Sequence, residues 1–490
     1  MIMKNISIFN KILNQASIED NVEQELILLS IASYFATYNY IGDIYSNEIE
    51  DKLINISKNI FIEKRKNIFF KENSCLHVVT EFYLHGGHSR VIERWMDFDN
   101  NSANSVAIIK PENSQISEDI SKHNIYLIDE KSYIDKAKVL FDISQKYEYI
   151  VLHTHMYDIV PILIFGQQEV KSKVFYYNQA DHLFWIGRKI VDKIIDISSE
   201  GQEITRLYRN ILNKEKNIVL PVPLIENKHN KRSTRQVNLI KNTLNIDIDK
   251  KVIVTAGSTA RFMTSEYSII DAYNDIENNL SNFIFIVVGS NEEDIFWQNV
   301  RNNNNIIIVD TVTNFIFDKY VAIADVYIES FPFSSSTSSL EMIMNDVISV
   351  LVEDDFPQFD SYTNFTIKKE SVSSHVVGLL SDINYYKQHL NSQEKIKNKI
   401  IEEHFKDRWL NRKNNIFNSI YKKEGGSINN NKIINYEKNL YRFLQKSYSN
   451  TILYKQDFFK LNFLNKIQVI NFFGIRRLVA SLIRKLKIKI

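Results

Sequence analysis

The rhythm of apolar and polar positions changes three times along the chain. Residues 1 to about 70 show no strand-like alternation, and Glu25-Leu-Ile-Leu-Leu-Ser-Ile-Ala-Ser-Tyr-Phe35 is an apolar helical stretch. Ser17-Ile-Glu-Asp20 just ahead of it is spelled like a capping box, in which a hydroxyl and an acidic side chain satisfy each other's backbone N–H. A helical N-terminal extension over 1–72 is expected. From Cys75 short runs rich in β-branched and aromatic side chains take over: 76–79, 106–109, 125–128, 149–152, 174–177, 194–197 and 218–220. Most are separated by segments of helical pattern, the signature of a parallel sheet covered on both faces. Pro221-Val-Pro223 closes this part, and the polar stretch Glu226 to Arg235 reads as a linker. The rhythm then restarts at 252–255, 283–288, 306–309, 326–329 and 347–352.

These patterns predict an α/β protein with two Rossmann-like, doubly wound parallel-sheet domains, 73–224 and 225–424. Their strand C-terminal ends face a cleft, where open α/β sheets bind ligands. After Glu353 the pattern is helical to about Lys423, and Gly425-Gly-Ser-Ile-Asn-Asn-Asn431 is a break. The remainder, within 425–490, forms a linker and a basic tail. Its end, Asn471 to Ile490, holds six basic residues and no acid. Wound as a helix, it puts Ile475, Leu478, Val479, Leu482, Ile483, Leu486 and Ile490 on one arc, opposite Arg476, Arg477, Arg484 and Lys487. That suits an interfacial helix on an anionic membrane surface; the plainer alternative is a helix packed on the body with its basic face solvated.

Composition narrows the class. The chain has 490 residues, which at roughly 100–200 per domain suits two to four domains. Its 60 Lys+Arg nearly balance 59 Asp+Glu, which argues against a globally basic nucleic-acid binder. Cys75 is the single cysteine, so an internal disulfide and a Cys-rich zinc site are both excluded and a reducing cytoplasm fits. The start has no apolar core of signal-peptide length, and no uninterrupted run reaches the roughly 18 apolar residues of a membrane span; the longest near-miss, Tyr149 to Gly166, contains His153, His155 and Asp158 and reads as a buried strand followed by a helix. A cytoplasmic place, peripheral to the inner face of the plasma membrane, is the expectation. Asn, Ile and Lys dominate in the manner of AT-rich coding, which suggests a bacterial source.

Three segments carry candidate chemistry. Thr80 to Val91 contains Gly86 and Gly87 just before a helix expected near Ser89; bare amides at a helix start can meet an anion. Thr255-Ala-Gly-Ser-Thr-Ala-Arg-Phe262 follows the first strand of the second half, with Gly257 in the turn and Arg261 at the cleft mouth, suited to a phosphate. Ala322 to Met342 runs strand, Ser-rich loop, helix. There Ser335, Ser336, Thr337, Ser338 and Ser339 can cap the helix and present amides, and Glu341 is expected in its first turn.

In this order and spacing the three segments resemble a nucleotide-sugar glycosyltransferase of the GT-B fold, nearest to the family 4 type of bacterial surface polysaccharide synthesis. The resemblance covers about residues 75–420. It implies a nucleotide-sugar donor in the second half, with Glu341 on the ribose and Gly86, Gly87, Gly257, Arg261, Ser335, Ser336, Thr337 and Ser338 around the diphosphate. It implies a glycan, lipid-linked or protein acceptor in the first half, and no cofactor. Two features depart from the pattern: no Lys follows Arg261 in Phe262 to Tyr267, and the position eight before Glu341 is Phe333 rather than Glu. The loop Phe331-Pro-Phe-Ser-Ser-Ser-Thr337 also resembles protein O-linked N-acetylglucosamine transferases, so retention or inversion stays open. A non-catalytic GT-B-like subunit that binds glycan or stabilises a partner enzyme is the rival reading. A nucleotide-sugar epimerase is a third, which the basic tail disfavours.

Two histidine segments lie after strands of the first half. His182, next to Asp181 and near aromatic residues, and His155 are the candidates for taking an acceptor proton. A zinc site at His153, His155 and Asp158 lacks a further ligand set. Asp247-Ile-Asp249 and Asp97-Phe-Asp99 have the spelling of a metal-binding pair but read as a turn and a helix end. With Arg261 and loop amides available to offset a diphosphate, no metal is expected.

Overall fold

The computed structural model describes residues 2–60, 70–83, 87–167, 170–211, 216–225, 233–263, 266–335, 337–353, 365–418, 440, 444 and 455–474. Three helices come first: α1 (Ile2–Ser17), α2 (Val22–Tyr38) and α3 (Asn47–Ile60). Helix α1 buries a stripe of Ile8, Phe9, Ile12, Leu13 and Ala16. Helix α2 is apolar nearly all round and buried, from Leu26 to Thr37, as such a helix must be. The expected capping box does not form. Helix α1 runs through Ser17, whose hydroxyl donates back to the Leu13 carbonyl at 2.8 Å. Asn21 caps α2 instead, its side-chain oxygen accepting from the Gln24 N–H at 3.0 Å. Asn is as good a cap as Ser, and it lies at the point where the second apolar run begins.

The first sheet is built from β1 (Lys71–Val79), α4 (Gly87–Phe98), β2 (Ala103–Ile108), α5 (Glu118–Ser121), β3 (Asn124–Leu127), α6 (Tyr133–Ser144), β4 (Tyr147–His153), α7 (Val160–Phe165), β5 (Lys173–Asn178), β6 (Lys193–Asp196), α8 (Ser199–Tyr208) and β7 (Asn217–Val219). Its order is β3-β2-β1-β4-β5-β6-β7, parallel throughout, with Val79 beside Ile108 on one side and His153 on the other. The second sheet uses α9 (Thr234–Thr243), β8 (Lys251–Ala256), α10 (Thr259–Phe262), α11 (Ile269–Asn279), β9 (Phe283–Val288), β10 (Ile306–Val309), α12 (Asn314–Ile323), β11 (Val326–Ile328), α13 (Thr337–Met344) and β12 (Ile348–Val350). Its order is β10-β9-β8-β11-β12, again parallel. Every strand expected from the apolar runs is present, and the chain is the α/β protein with two doubly wound sheets that the pattern predicted. Each sheet reverses direction once, between β1 and β4 and between β8 and β11, and the crevice at such a switch point is where ligands bind.

The chain then continues as α14 (Val372–Ser381), α15 (Ile383–His404) and α16 (Lys406–Phe417). Helix α16 returns to the first sheet: Trp409 meets Trp95 of α4 at 4.9 Å between ring centroids, and Phe417 meets Tyr149 of β4 at 4.6 Å. The segment Pro221–Leu224 is braced by the same return. Trp409 Nε1 donates to the Pro221 carbonyl at 2.7 Å, and His404 Nδ1 donates to the Val222 carbonyl at 2.7 Å. Two last helices, α17 (Lys455–Lys460) and α18 (Phe463–Phe473), lie on the N-terminal extension.

Candidate functional site

At the switch point of the second sheet, the turn after β8 and the loop after β11 meet. Gly257 is pinned there, its N–H donating to the Val288 carbonyl at 2.8 Å and its carbonyl accepting from the Ser290 hydroxyl at 2.9 Å. A Cβ on Gly257 would meet Arg261 Cδ at 3.1 Å and Ser330 Cβ at 3.4 Å, so a larger residue there would press on the Arg261 side chain. Arg261, on the short helix α10, donates to the Ser334 carbonyl. The Phe333 N–H donates back to the Arg261 carbonyl at 3.3 Å. Arg261 therefore braces the Ser-rich loop from its own side of the crevice.

Glu329, at the end of β11, organises that loop from beneath. It is buried, and its carboxylate accepts from the hydroxyls of Ser334 and Ser339 (2.9 Å for Ser339) and from the Val352 N–H at 3.2 Å. Burial pushes its carboxyl above the ordinary range, and the two hydroxyls, the amide and Arg261 offset only part of that. Ser335 lies on the loop with its hydroxyl 3.0 Å from the Tyr327 hydroxyl. Thr337 opens α13, and Ser338 lies within its first turn, both partly exposed. Ser336 and Gly86 fall outside the described residues.

Glu341 is not in the first turn of α13. The helix starts at Thr337, so Glu341 is its fifth residue and has lost the help of the helix terminus. Its partners come from the other half of the molecule. Arg90 Nη1 donates to its two oxygens at 2.9 and 3.1 Å, and Arg94 Nη2 to Oε1 at 2.5 Å. Both arginines lie on α4, whose first residue is Gly87 rather than the Ser89 anticipated. Arg94 Nη1 also reaches the Pro223 carbonyl at 3.3 Å. All three side chains are largely buried. Burial pushes the Glu341 carboxyl up, but Arg94 and Arg90 outweigh it and hold the group below its ordinary value. The sequence reading missed this clamp; its one trace was the i,i+4 spacing of two arginines on an amphipathic helix.

On the first half, the loops after β1, β4 and β5 converge. The Thr80 hydroxyl donates to Asp158 at 2.6 Å and accepts from the His155 N–H at 2.8 Å. His155 has its Nδ1 3.1 Å from the Tyr157 hydroxyl and lies face to face with Tyr83, and burial lowers its pKa to about 4. His153 turns away, into a buried contact with His77 at 3.1 Å, while Asp158 is committed to Thr80 and to the Val160 N–H. Among the described residues no three His, Cys, Asp or Glu side chains converge as a metal site.

His182 and Asp181 form a pair, with Nδ1 3.0 Å from Oδ1. Burial pushes the Asp181 carboxyl up, but His182 and Arg209 bring it below its ordinary value. Gly201 makes room, since a Cβ there would meet Asp181 Oδ2 at 2.9 Å. The two halves touch beside this pair: Phe333 of the Ser-rich loop is buried with Leu183, Tyr40, Ile44, Leu440 and Leu444. Next to that contact is a cavity of about 420 Å³ lined by Tyr40, Asp43, Tyr45, Tyr208, Asn210 and Leu440 among others.

No protein-family model matches this chain, and no curated relative does. Solved structures do. A glycosyltransferase from Rickettsia africae aligns with a TM-score of 0.56 at 11% identity, over 72% of this chain and 100% of its own. HepE of Anabaena, solved with UDP and glucose, aligns at 0.54 and 9% identity, over 71% of this chain and 99% of its own. The N-terminal domain of trehalose-6-phosphate phosphatase from Candida albicans aligns at 0.52 and 12%, over 73% and 99%. At such identities the likeness is one of fold, and the fold is GT-B.

Proposed function

We propose that this chain is a glycosyltransferase that moves a sugar from a nucleotide-sugar donor to a glycan, lipid-linked or protein acceptor in bacterial surface glycan synthesis. The observation that carries this is the meeting of Gly257 and Arg261 with the Ser-rich loop at the switch point of the second sheet, with Glu341 on the helix that follows the loop. HepE, of the same fold, was solved with UDP and glucose, which supports a uridine diphosphate sugar as the first donor to try. The donor reading is of the family 4 type. Glu341 grips the ribose hydroxyls, kept ionised by Arg90 and Arg94. Arg261, the amides at the start of α13 and Gly87 at the start of α4 serve the diphosphate. In this reading no metal is needed.

On the acceptor side His182 is the better base. Asp181 accepts from Nδ1–H and so favours the tautomer in which Nε2 is the acceptor nitrogen. The acceptor oxygen bonds to the anomeric carbon, its proton passes to His182, and the bond to the diphosphate breaks with its electron pair leaving on the nucleotide. His155, with its lowered pKa, is suited to positioning through a hydrogen bond. Peripheral attachment to the cytoplasmic face of an anionic membrane through the basic tail belongs to the same reading.

The experiment is nucleotide release by the purified protein from a panel of nucleotide sugars without added metal. One donor should be turned over, and His182→Ala should slow release by about a hundredfold or more while nucleotide affinity holds. Equal release by His182→Ala would remove that residue from the chemistry. A second reading, the non-catalytic subunit, is favoured by one observation: Glu341 and Arg261 are already engaged by protein partners. It predicts no nucleotide binding at all.

A further inference from the structure

Helices α17 and α18 are fastened to the N-terminal extension by polar bonds. Gln24 Nε2 donates to the Lys460 carbonyl, Gln24 Oε1 accepts from the Asn462 N–H at 2.7 Å, and Asn465 bonds Glu19 and Gln15 at 2.6 and 2.9 Å. With the helices so fixed, α18 turns Asn465, Val469 and Phe473 inward. Its other side is left in solvent: Phe463 is 75% exposed and Leu464 72%, with Ile467 on the same arc, and Phe459 of the preceding α17 is 64% exposed. Ile18 and Val22, at the α1–α2 corner to which these helices are bonded, are exposed as well. Large apolar side chains gathered on one face mark an interaction surface.

The charge of the chain that follows names the partner. Helix α18 ends at Gly474, in a positive-φ conformation (79°) suited to glycine, and residues 475–490, outside the described residues, carry in sequence Arg476, Arg477, Arg484, Lys485, Lys487 and Lys489 with no acid. Lys460 and Lys466 add to this charge on the helices themselves. Exposed apolar groups followed along the chain by concentrated positive charge match the two layers of an anionic bilayer surface, acyl chains below and phosphates above. Among the described residues no helix is long and apolar enough to cross a membrane, so the contact is interfacial.

We propose that the exposed face of α17 and α18, with the basic residues after Gly474, seats this protein on an anionic membrane, Phe459, Phe463 and Leu464 entering the interface. The inference deepens the membrane part of the reading above and is independent of the sugar chemistry, so its test uses no donor. Full-length protein is sedimented with vesicles of phosphatidylcholine alone or with one third phosphatidylglycerol. Binding to the anionic vesicles should exceed that to the neutral ones by about tenfold or more and weaken with salt. The double variant Phe463→Ser with Leu464→Ser, its thermal unfolding unchanged because both side chains are exposed, should lose about tenfold in binding with the tail intact. Ending the chain at Gly474 should lose the lipid-charge preference. Wild-type binding by the double variant would overturn the role of this face, even if the tail alone binds. So would vesicle binding by neither protein, or self-association of the wild type that the double variant abolishes.

Discussion

Glu329 and Glu341 lie twelve residues apart on either side of one loop, and they are held in opposite ways. Glu329 faces inward to two hydroxyls and an amide of its own domain, and burial raises its carboxyl. Glu341 faces across the cleft to two guanidinium groups of the other domain, which lower its carboxyl despite burial. The first arrangement shapes a loop. The second holds an ionised carboxylate between two arginines and ties the two halves together. The lesson is that an acidic residue near a donor site is assigned by its partners, not by its distance along the chain.

The contrast breaks most visibly in stability. Glu329→Ala strands two buried hydroxyls and an N–H, and the cost should be about 3 kcal/mol in a denaturant titration, with loss of loop order. Glu341→Ala should show its main effect in turnover, about ten- to a hundredfold lower nucleotide release, the worth of charge-assisted bonds to a ribose of about 1.5–3 kcal/mol. A smaller effect is the tie between domains. A double-mutant cycle of Glu341→Ala with Arg94→Ala should give a coupling of about 1–2 kcal/mol, and the Arg90 cycle somewhat less. A coupling near zero would mean that the clamp does not persist in solution.

The smallest effect is in pH, and its sign differs between the two residues. Glu341 has a lowered folded value, so its stabilisation is present above the unfolded value near 4.5 and is lost as pH falls through the folded one. Glu329 has a raised folded value, so its contribution is complete below about 4.5 and is lost as pH rises through the folded one. Unfolding titrations from pH 4 to 8 should therefore show Glu341→Gln diverging from wild type toward neutral pH. Glu329→Gln should gain on wild type over the same range.

Much of the fold was legible because its strands are written in short β-branched runs, such as Phe283–Val288, whose neighbours are set by chain order. The start of α2 was misplaced because Ser17 and Asn21 are equally good caps and only packing decides between them. The segments proposed for the donor were legible as a sequence of turn, loop and helix. Their partners were not: Arg90 and Arg94 meet Glu341 across about 250 residues of chain, a contact made only when α4 and α13 pack through Val91, Trp95, Leu340 and Ile343. The role of Glu329 was hidden for the same reason, since its amide partner Val352 lies beyond the next helix.

The central claim is that the crevice beside Glu341 is a nucleotide-sugar site. Calorimetric titration of UDP into wild type, Glu341→Gln and Glu329→Gln tests it most directly. The account predicts binding by the wild type, binding about tenfold weaker for Glu341→Gln, and binding little changed for Glu329→Gln. Failure of the wild type to bind UDP or any other nucleoside diphosphate would contradict it, as would equal affinity in wild type and Glu341→Gln.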